Sequence, residues 1–236
     1  LVAGGEFLVA DDFLIRDIAA WDGSRWLRLG IPSLNGPVAA LIVFDDGNGA
    51  ALYAGGWFTA SGNLMLGGVA KWDGSDWSPL GSGTNGDVSA FVIFDDGGGP
   101  APFAGGWVPP AGGVAANGIA KWDGASWAAL AEGVNWYVSA LVVFDDGSGP
   151  ALYAGGEFTT AGGTAASGIA KWDGTNWFPL GTGMNGAVRS MAVYDDGTGP
   201  ALYAGGEFVV AGGVAASHIA KWNGSAWSAL GSGMNG

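Results

Sequence analysis

The chain has 236 residues, 47 of them glycine, with 49% hydrophobic residues and 13 tryptophans; glycine this abundant without a three-residue period excludes collagen, and the apolar content excludes a disordered chain. A net charge of −13 with only eight Lys plus Arg argues against nucleic acid and anionic membrane surfaces as partners. No stretch of about 18 consecutive apolar residues is present to span a bilayer, and the absence of cysteine excludes disulfides and thiolate metal sites.

Residues 1–36 read as a partial unit, followed by four full units at 37–86, 87–136, 137–186 and 187–236. The marker is Ala-Leu-Tyr-Ala-Gly-Gly-Glu-Phe at 151–158, which returns at 201–208 and in altered form at 1–7, 51–58 and 101–108. A fixed period of fifty residues makes one continuous array, a single domain over 1–236, rather than two independent domains. The first unit lacks the segment that opens every other one.

Each full unit predicts four strands. The first covers 188–194, with counterparts at 38–44, 88–94 and 138–144, and its apolar residues on both faces predict a fully buried strand. An Asp-Asp-Gly-x-Gly hairpin follows, with residue types suited to positive φ. The second strand, 202–208, carries a Gly-Gly pair that predicts a bulge or the close approach of another backbone. Small residues at 209–217 read as a loop. The third strand, 219–222, ends in Trp-Asn-Gly, elsewhere Trp-Asp-Gly; a short fourth strand covers 227–230, and a glycine-rich turn with a recurrent Asn closes the unit. Nothing shows a convincing 3.6-residue period, so almost no helix is expected.

Four short strands per unit at this period predict an all-β propeller of about five four-stranded blades, the first lacking its innermost strand. Solenoid repeats are usually shorter and do not need four strands. The Gly-Gly doublet, followed by the pairs Trp72/Trp77, Trp122/Trp127, Trp172/Trp177 and Trp222/Trp227, resembles the kelch type of propeller repeat. The string Gly-Ile-Ala-Lys-Trp-Asp-Gly-x-x-Trp-x-x-Leu-Gly-x-Gly is similar to the kelch-related, Rax2-like repeats of exported bacterial and fungal surface proteins. Five units in this length also resemble, less closely, the five-bladed tachylectin-type lectins. The resemblance implies a propeller and an extracellular or cell-surface location. Propellers of the kelch kind mostly have six or seven blades, so the incomplete first unit predicts a fragment of a longer array, a three-stranded blade, or strand exchange and oligomerisation through that blade.

Propeller geometry puts the second-to-third connections and the Asn-Gly turns on one face, called the loop face, and the Asp-Asp hairpins on the other as an acidic ring. The candidate ligand-binding residues are those that break the repeat. Trp57 and Trp107 stand where other units have Glu157 and Glu207, and Trp136 with Tyr137 replaces small or acidic residues at a loop-face turn. Irregularity in a regular array is where function can be grafted, although drift at a tolerant position is the simpler explanation. The repeated Trp pairs read as packing. Lys71, Lys121, Lys171 and Lys221 read as surface pairs of little energetic weight. Two aspartates in a short hairpin do not supply the six to eight oxygens that calcium takes, and His218, the single histidine, has no partner for a zinc site. No metal, cofactor or catalytic residue is therefore assigned. The expected function is a non-enzymatic binding or scaffold module, its protein or glycan ligand unspecified. The alternative is a carbohydrate-binding lectin with sites on the loop face, and more remotely a glycan-cleaving enzyme using paired glutamates.

Overall fold

The computed structural model describes residues 1–11 and 14–235; Asp12 and Phe13 of the first unit and Gly236 of the last lie outside the described residues. Among the described residues there are strands and no α-helix, and so none long and apolar enough to cross a membrane. The fourth unit shows the pattern. Its inner strand Val138–Asp145 pairs antiparallel with Pro150–Gly156, which pairs with Ile169–Trp172, which pairs with the outer strand Trp177–Pro179. The second, third and fifth units form the same four-stranded sheet. The first unit forms a three-stranded sheet of Val2–Gly4, Ile18–Trp21 and Trp26–Arg28, without an inner strand. The result is a propeller-like array of five sheets.

Local chemistry fixes the turns. The Asp145 carboxylate accepts from the backbone N–H groups of Gly147 (2.8 Å) and Gly149 (3.0 Å), which closes the first hairpin. Asp173 accepts from those of Thr175 (2.8 Å) and Asn176 (2.7 Å), which closes the turn between the third and outer strands. Asn135 reaches from the end of one unit into the next and accepts from Thr159 (2.8 Å) and Thr160 (2.9 Å). This clasp puts the unit-closing turns and the second-to-third loops on one face. On the opposite face, Gly224 lies against the Asp146 carbonyl of the preceding unit's hairpin.

Apolar clusters hold consecutive sheets together. One joins Phe94 and Val134 of the third unit to Phe158, Ala170 and Trp177 of the fourth; another joins Phe144 and Met184 of the fourth to Phe208, Ala220 and Trp227 of the fifth. Burying a side chain of this size contributes roughly 1.5–3 kcal/mol. The paired tryptophans meet at a tilt within a sheet, with Trp172 and Trp177 centroids 5.3 Å apart and their planes at 48°, and Trp177 Nε1 donates to the Leu130 carbonyl of the preceding unit at 2.9 Å. Among the described residues four clusters join the five sheets in sequence and none joins the fifth to the first, so the array is open.

The Gly-Gly pair has both consequences its sequence implies. The inner strand bulges opposite it, with a register shift between Val138 and Ala140. A Cβ on Gly155 would come within 2.6 Å of Val188 Cγ1 in the next unit, and one on Gly156 would strike the Tyr137 carbonyl.

Three expectations need correction. The inner strands are not fully buried: Val43 is exposed, and Val92 and Val142 are only partly buried, because the face turned to the centre of the array is incompletely covered. The loop of small residues contains a hairpin of its own, Val210–Ala211 paired with Val214–Ala215, and similar hairpins recur in the three preceding units. The lysines are not loose surface partners. Lys171 Nζ donates to Asp146 Oδ2 at 2.6 Å with both side chains largely buried, and the Tyr153 hydroxyl donates to the same oxygen at 2.8 Å.

Candidate ligand-binding rim

The inner and second strands meet at the loop face in three neighbouring slots. Asp87 pairs across the ladder with Trp107. In the other full units the equivalent bonds run from the backbone N–H of Trp57 to the Pro37 carbonyl (2.9 Å), from Glu157 to Tyr137 (3.0 Å) and from Glu207 to Ala187 (2.8 Å). The third slot is the residue that the bulge lifts off the ladder: Ala39, Ser89, Ser139 and Arg189. These slots change from unit to unit, while beside them Val38, Val88, Val138 and Val188 repeat without change.

The last two units bring the two candidate glutamates together. Arg189 donates from Nη1 to Glu157 of the preceding unit and from Nε (2.9 Å) to Glu207 of its own, and its Nη2 is ion-paired with the same Glu207 oxygen at 2.8 Å. These bonds raise the guanidinium pKa above its ordinary value, with Glu157 the larger influence. Beside the cluster is an open cleft of about 470 Å³ bounded by Glu157, Thr159, Ser167, Asn185, Arg189 and Glu207. One guanidinium between two carboxylates leaves a net negative, donor- and acceptor-rich surface.

The preceding junction differs. The hydroxyls of Tyr137 and Ser89 are hydrogen-bonded across the gap between units. Ser139 is the counterpart of Ser89, but Ala187 replaces the tyrosine, and the buried Ser139 Oγ has no hydrogen-bond partner among the described residues. Trp136, Trp107 and Trp57 all expose their indoles, and among the described residues no ring contact joins them. Burial raises the Asp87 carboxyl above its usual pKa. The rim thus runs from aromatic in the second and third units to charged in the fourth and fifth. Trp57 stands on a different sheet from the glutamate cluster.

Arg189, Ser89 and Ser139 escape a reading based on strand pattern alone. The signal lies in the slot comparison: arginine stands where the other units have Ala, Ser and Ser.

The opposite face is structural. Asp46, Asp96, Asp146 and Asp196 each pair with a lysine, Lys71, Lys121, Lys171 and Lys221, at 2.5–2.6 Å. The expected acidic ring is therefore partly neutralised. Among the described residues no group of three or more His, Asp or Glu side chains is placed to hold a metal ion. His218 takes a glycine slot at φ 63°, and its Nδ1 lies 3.0 Å from the Gly206 carbonyl.

No family model matches the chain, and no curated protein matches it. Among solved structures it is similar to the extracellular domain of a protein assigned as a one component system, BT4673 from B. thetaiotaomicron. The identity is 11%, the TM-score is 0.50, and the match covers 90% of this chain and 25% of that one. The chain thus spans about a quarter of that structure's length, and the likeness concerns the fold.

Proposed function

We propose that the chain is a non-enzymatic binding module of an exported protein, taking its ligand on the loop-face rim. The observation that carries this reading is the meeting of two divergent slots at one cleft, where Arg189 joins Glu157 and Glu207 on the loop face. The neighbouring valines are buried and fixed by packing, so the exposed slots beside them are free to carry a ligand site. Export rests on the likeness to an extracellular domain and on the resemblance to kelch-related surface repeats. Catalysis by the glutamates is the weaker reading, because both carboxylates are engaged by Arg189 instead of flanking a gap the width of a sugar.

A second reading, carbohydrate binding, is favoured by the Glu157–Arg189–Glu207 cleft, which offers both donors and acceptors for hydroxyls, with the exposed indoles of the second and third units as separate apolar faces for sugar rings. The test is a glycan array run beside a panel of extracellular proteins, with wild type and Arg189→Ala. Glycan signals that fall about tenfold or more in the variant support the lectin reading, since hydrogen bonds to charged groups contribute about 1.5–3 kcal/mol. Protein signals lost in the same variant support a protein-binding rim. Binders indifferent to Arg189→Ala contradict the rim as the site.

A further inference from the structure

Two neighbouring junctions share a backbone but not a side chain. Between the third and fourth units, Tyr137 reaches back from the start of its inner strand, and its hydroxyl is hydrogen-bonded to that of Ser89 on the preceding inner strand. The ring thus spans the gap between the two sheets at the loop face. One junction later the same two slots are held by Ala187 and Ser139. The backbone is unchanged. The N–H of Glu157 meets the Tyr137 carbonyl at 3.0 Å, and that of Glu207 meets the Ala187 carbonyl at 2.8 Å. The bulge lifts Ser89 off the ladder between Val88 and Ala90, and Ser139 between Val138 and Ala140. Of this pair of slots only one has changed, from a phenol ring to a methyl group.

Both consequences of that truncation are present at the junction of the fourth and fifth units. Ala187 lines the cleft of about 470 Å³, to which Phe158 and Met184 add apolar surface. The partner of the lost hydroxyl is also there, because Ser139 Oγ is buried and has no hydrogen-bond partner among the described residues. A buried hydroxyl without a partner is costly, so a ligand that supplies one is held more tightly than a ligand of the same shape that does not. Charge selects further. Arg189 lies between Glu157 and Glu207, so the cleft is net negative and accepts a neutral hydroxyl where it repels a carboxylate or phosphate. By the repeat, a phenol ring beside Ala187 brings its hydroxyl to Ser139 as Tyr137 brings its own to Ser89.

We propose that this cleft receives a tyrosine side chain of a partner protein, its ring in the space that Tyr137 fills one junction earlier and its hydroxyl on Ser139. The proposal rests on the loop-face rim being the binding site, and it adds the chemical class of the ligand. The chain's own tyrosine is the template: the same backbone holds a phenol at one junction and presents its unoccupied hydroxyl partner at the next. Met184, where the third unit has Val134, offers the ring a polarizable contact.

The probe is p-cresol, the tyrosine side chain alone, titrated into the whole chain and followed by amide NMR shifts, with toluene as the ring without the hydroxyl. p-Cresol is expected to bind with shifts centred on residues 139 and 184–189, and toluene about three- to tenfold more weakly, as loss of one neutral hydrogen bond implies. Ser139→Ala should remove that preference and leave toluene binding unchanged. Ala187→Tyr, which restores the internal tyrosine, should abolish p-cresol binding and raise the Tm; if it does not fold, the Ser139→Ala comparison decides alone. No p-cresol shift at the cleft up to about 50 mM overturns the proposal, and so does a preference that survives Ser139→Ala. The rim is tested apart from the tyrosine. A binder lost in Arg189→Ala but kept in folded Ala187→Tyr leaves the rim as the site and overturns the tyrosine as its ligand.

Discussion

Each Asp-Asp hairpin gives its two carboxylates different work. The first carboxylate closes the turn through backbone N–H groups, and the second anchors a lysine from the third strand. The recurrence of Lys before Trp is plain in the sequence, but its partner lies 25 residues upstream, so neither the pairing nor its burial is visible there. Removing the lysine leaves a largely buried carboxylate with only hydroxyl and backbone donors. Lys171→Met is expected to destabilise the chain by about 2 kcal/mol in denaturant unfolding, the range for hydrogen bonds to charged groups; a change near zero would return these pairs to loose surface contacts. The pH dependence follows from the same bonds. The Lys71 hydrogen bond, helped by Asn48 and Tyr53 against the opposing effect of burial, lowers the Asp46 pKa from 3.8 to about 2. Asp146, where burial is outweighed by bonds from Lys171, Ser148 and Tyr153, and Asp196, held chiefly by Lys221, are lowered too. A carboxylate lowered in the folded state adds stability that is present above its unfolded value and disappears as pH falls through the folded one. Thermal stability should therefore decline between about pH 4 and pH 2, and part of that decline should be missing in Lys71→Met.

At the scale of a strand, the Gly-Gly doublet illustrates how far local pattern reaches. Its need for a close neighbour is legible from two glycines inside an apolar strand. The neighbour is the valine of the next unit's inner strand, and among the described residues Gly205 of the fifth unit has no such contact. A Cβ on Gly155 would meet Val188 Cγ1 at 2.6 Å and the Met191 sulfur at 3.1 Å, whereas one on Gly205 would meet only Ser190 Oγ at 3.0 Å and the His218 carbonyl at 3.9 Å. Gly155→Ala is thus expected to cost about 1–3 kcal/mol by overpacking, and Gly205→Ala to fall within about 1 kcal/mol of wild type. Equal losses at both sites would show that the doublet serves the backbone and not the junction. The third strand of the fifth unit matches the sequence reading to the residue, since Ile219–Trp222 is bounded by positive-φ residues, His218 just before it and Gly224 shortly after. The two-residue hairpins at 60–65 and its equivalents are too short to display a period of two, and so read as loop. The exposure of the inner strand is hidden for another reason: its residues are apolar whether they face a neighbouring sheet or the centre.

For the molecule as a whole, the number of sheets and the assignment of loops to faces are legible, because both follow from the repeat and from antiparallel connectivity. The three-stranded first sheet is legible as the shorter first unit, whereas the apolar clusters between sheets require packing to be seen. The site is legible in a similar measure. Trp57, Trp107, Trp136, Tyr137, Glu157 and Glu207 stand out as breaks in the repeat, yet the group that unites two of them, Arg189, comes from a bulged slot whose direction no periodicity reveals. In such arrays each sheet depends on its neighbours, so regular slots are held by packing and divergence collects where packing is absent. The account stands or falls on whether ligand binds at that divergence. Hydrogen–deuterium exchange, with and without the strongest binder from the glycan and protein screens, measures this directly. Protection centred on residues 156–159 and 185–189 is the predicted result, and protection confined to the Asp-Asp hairpins at 145–149 and 195–199 would contradict it.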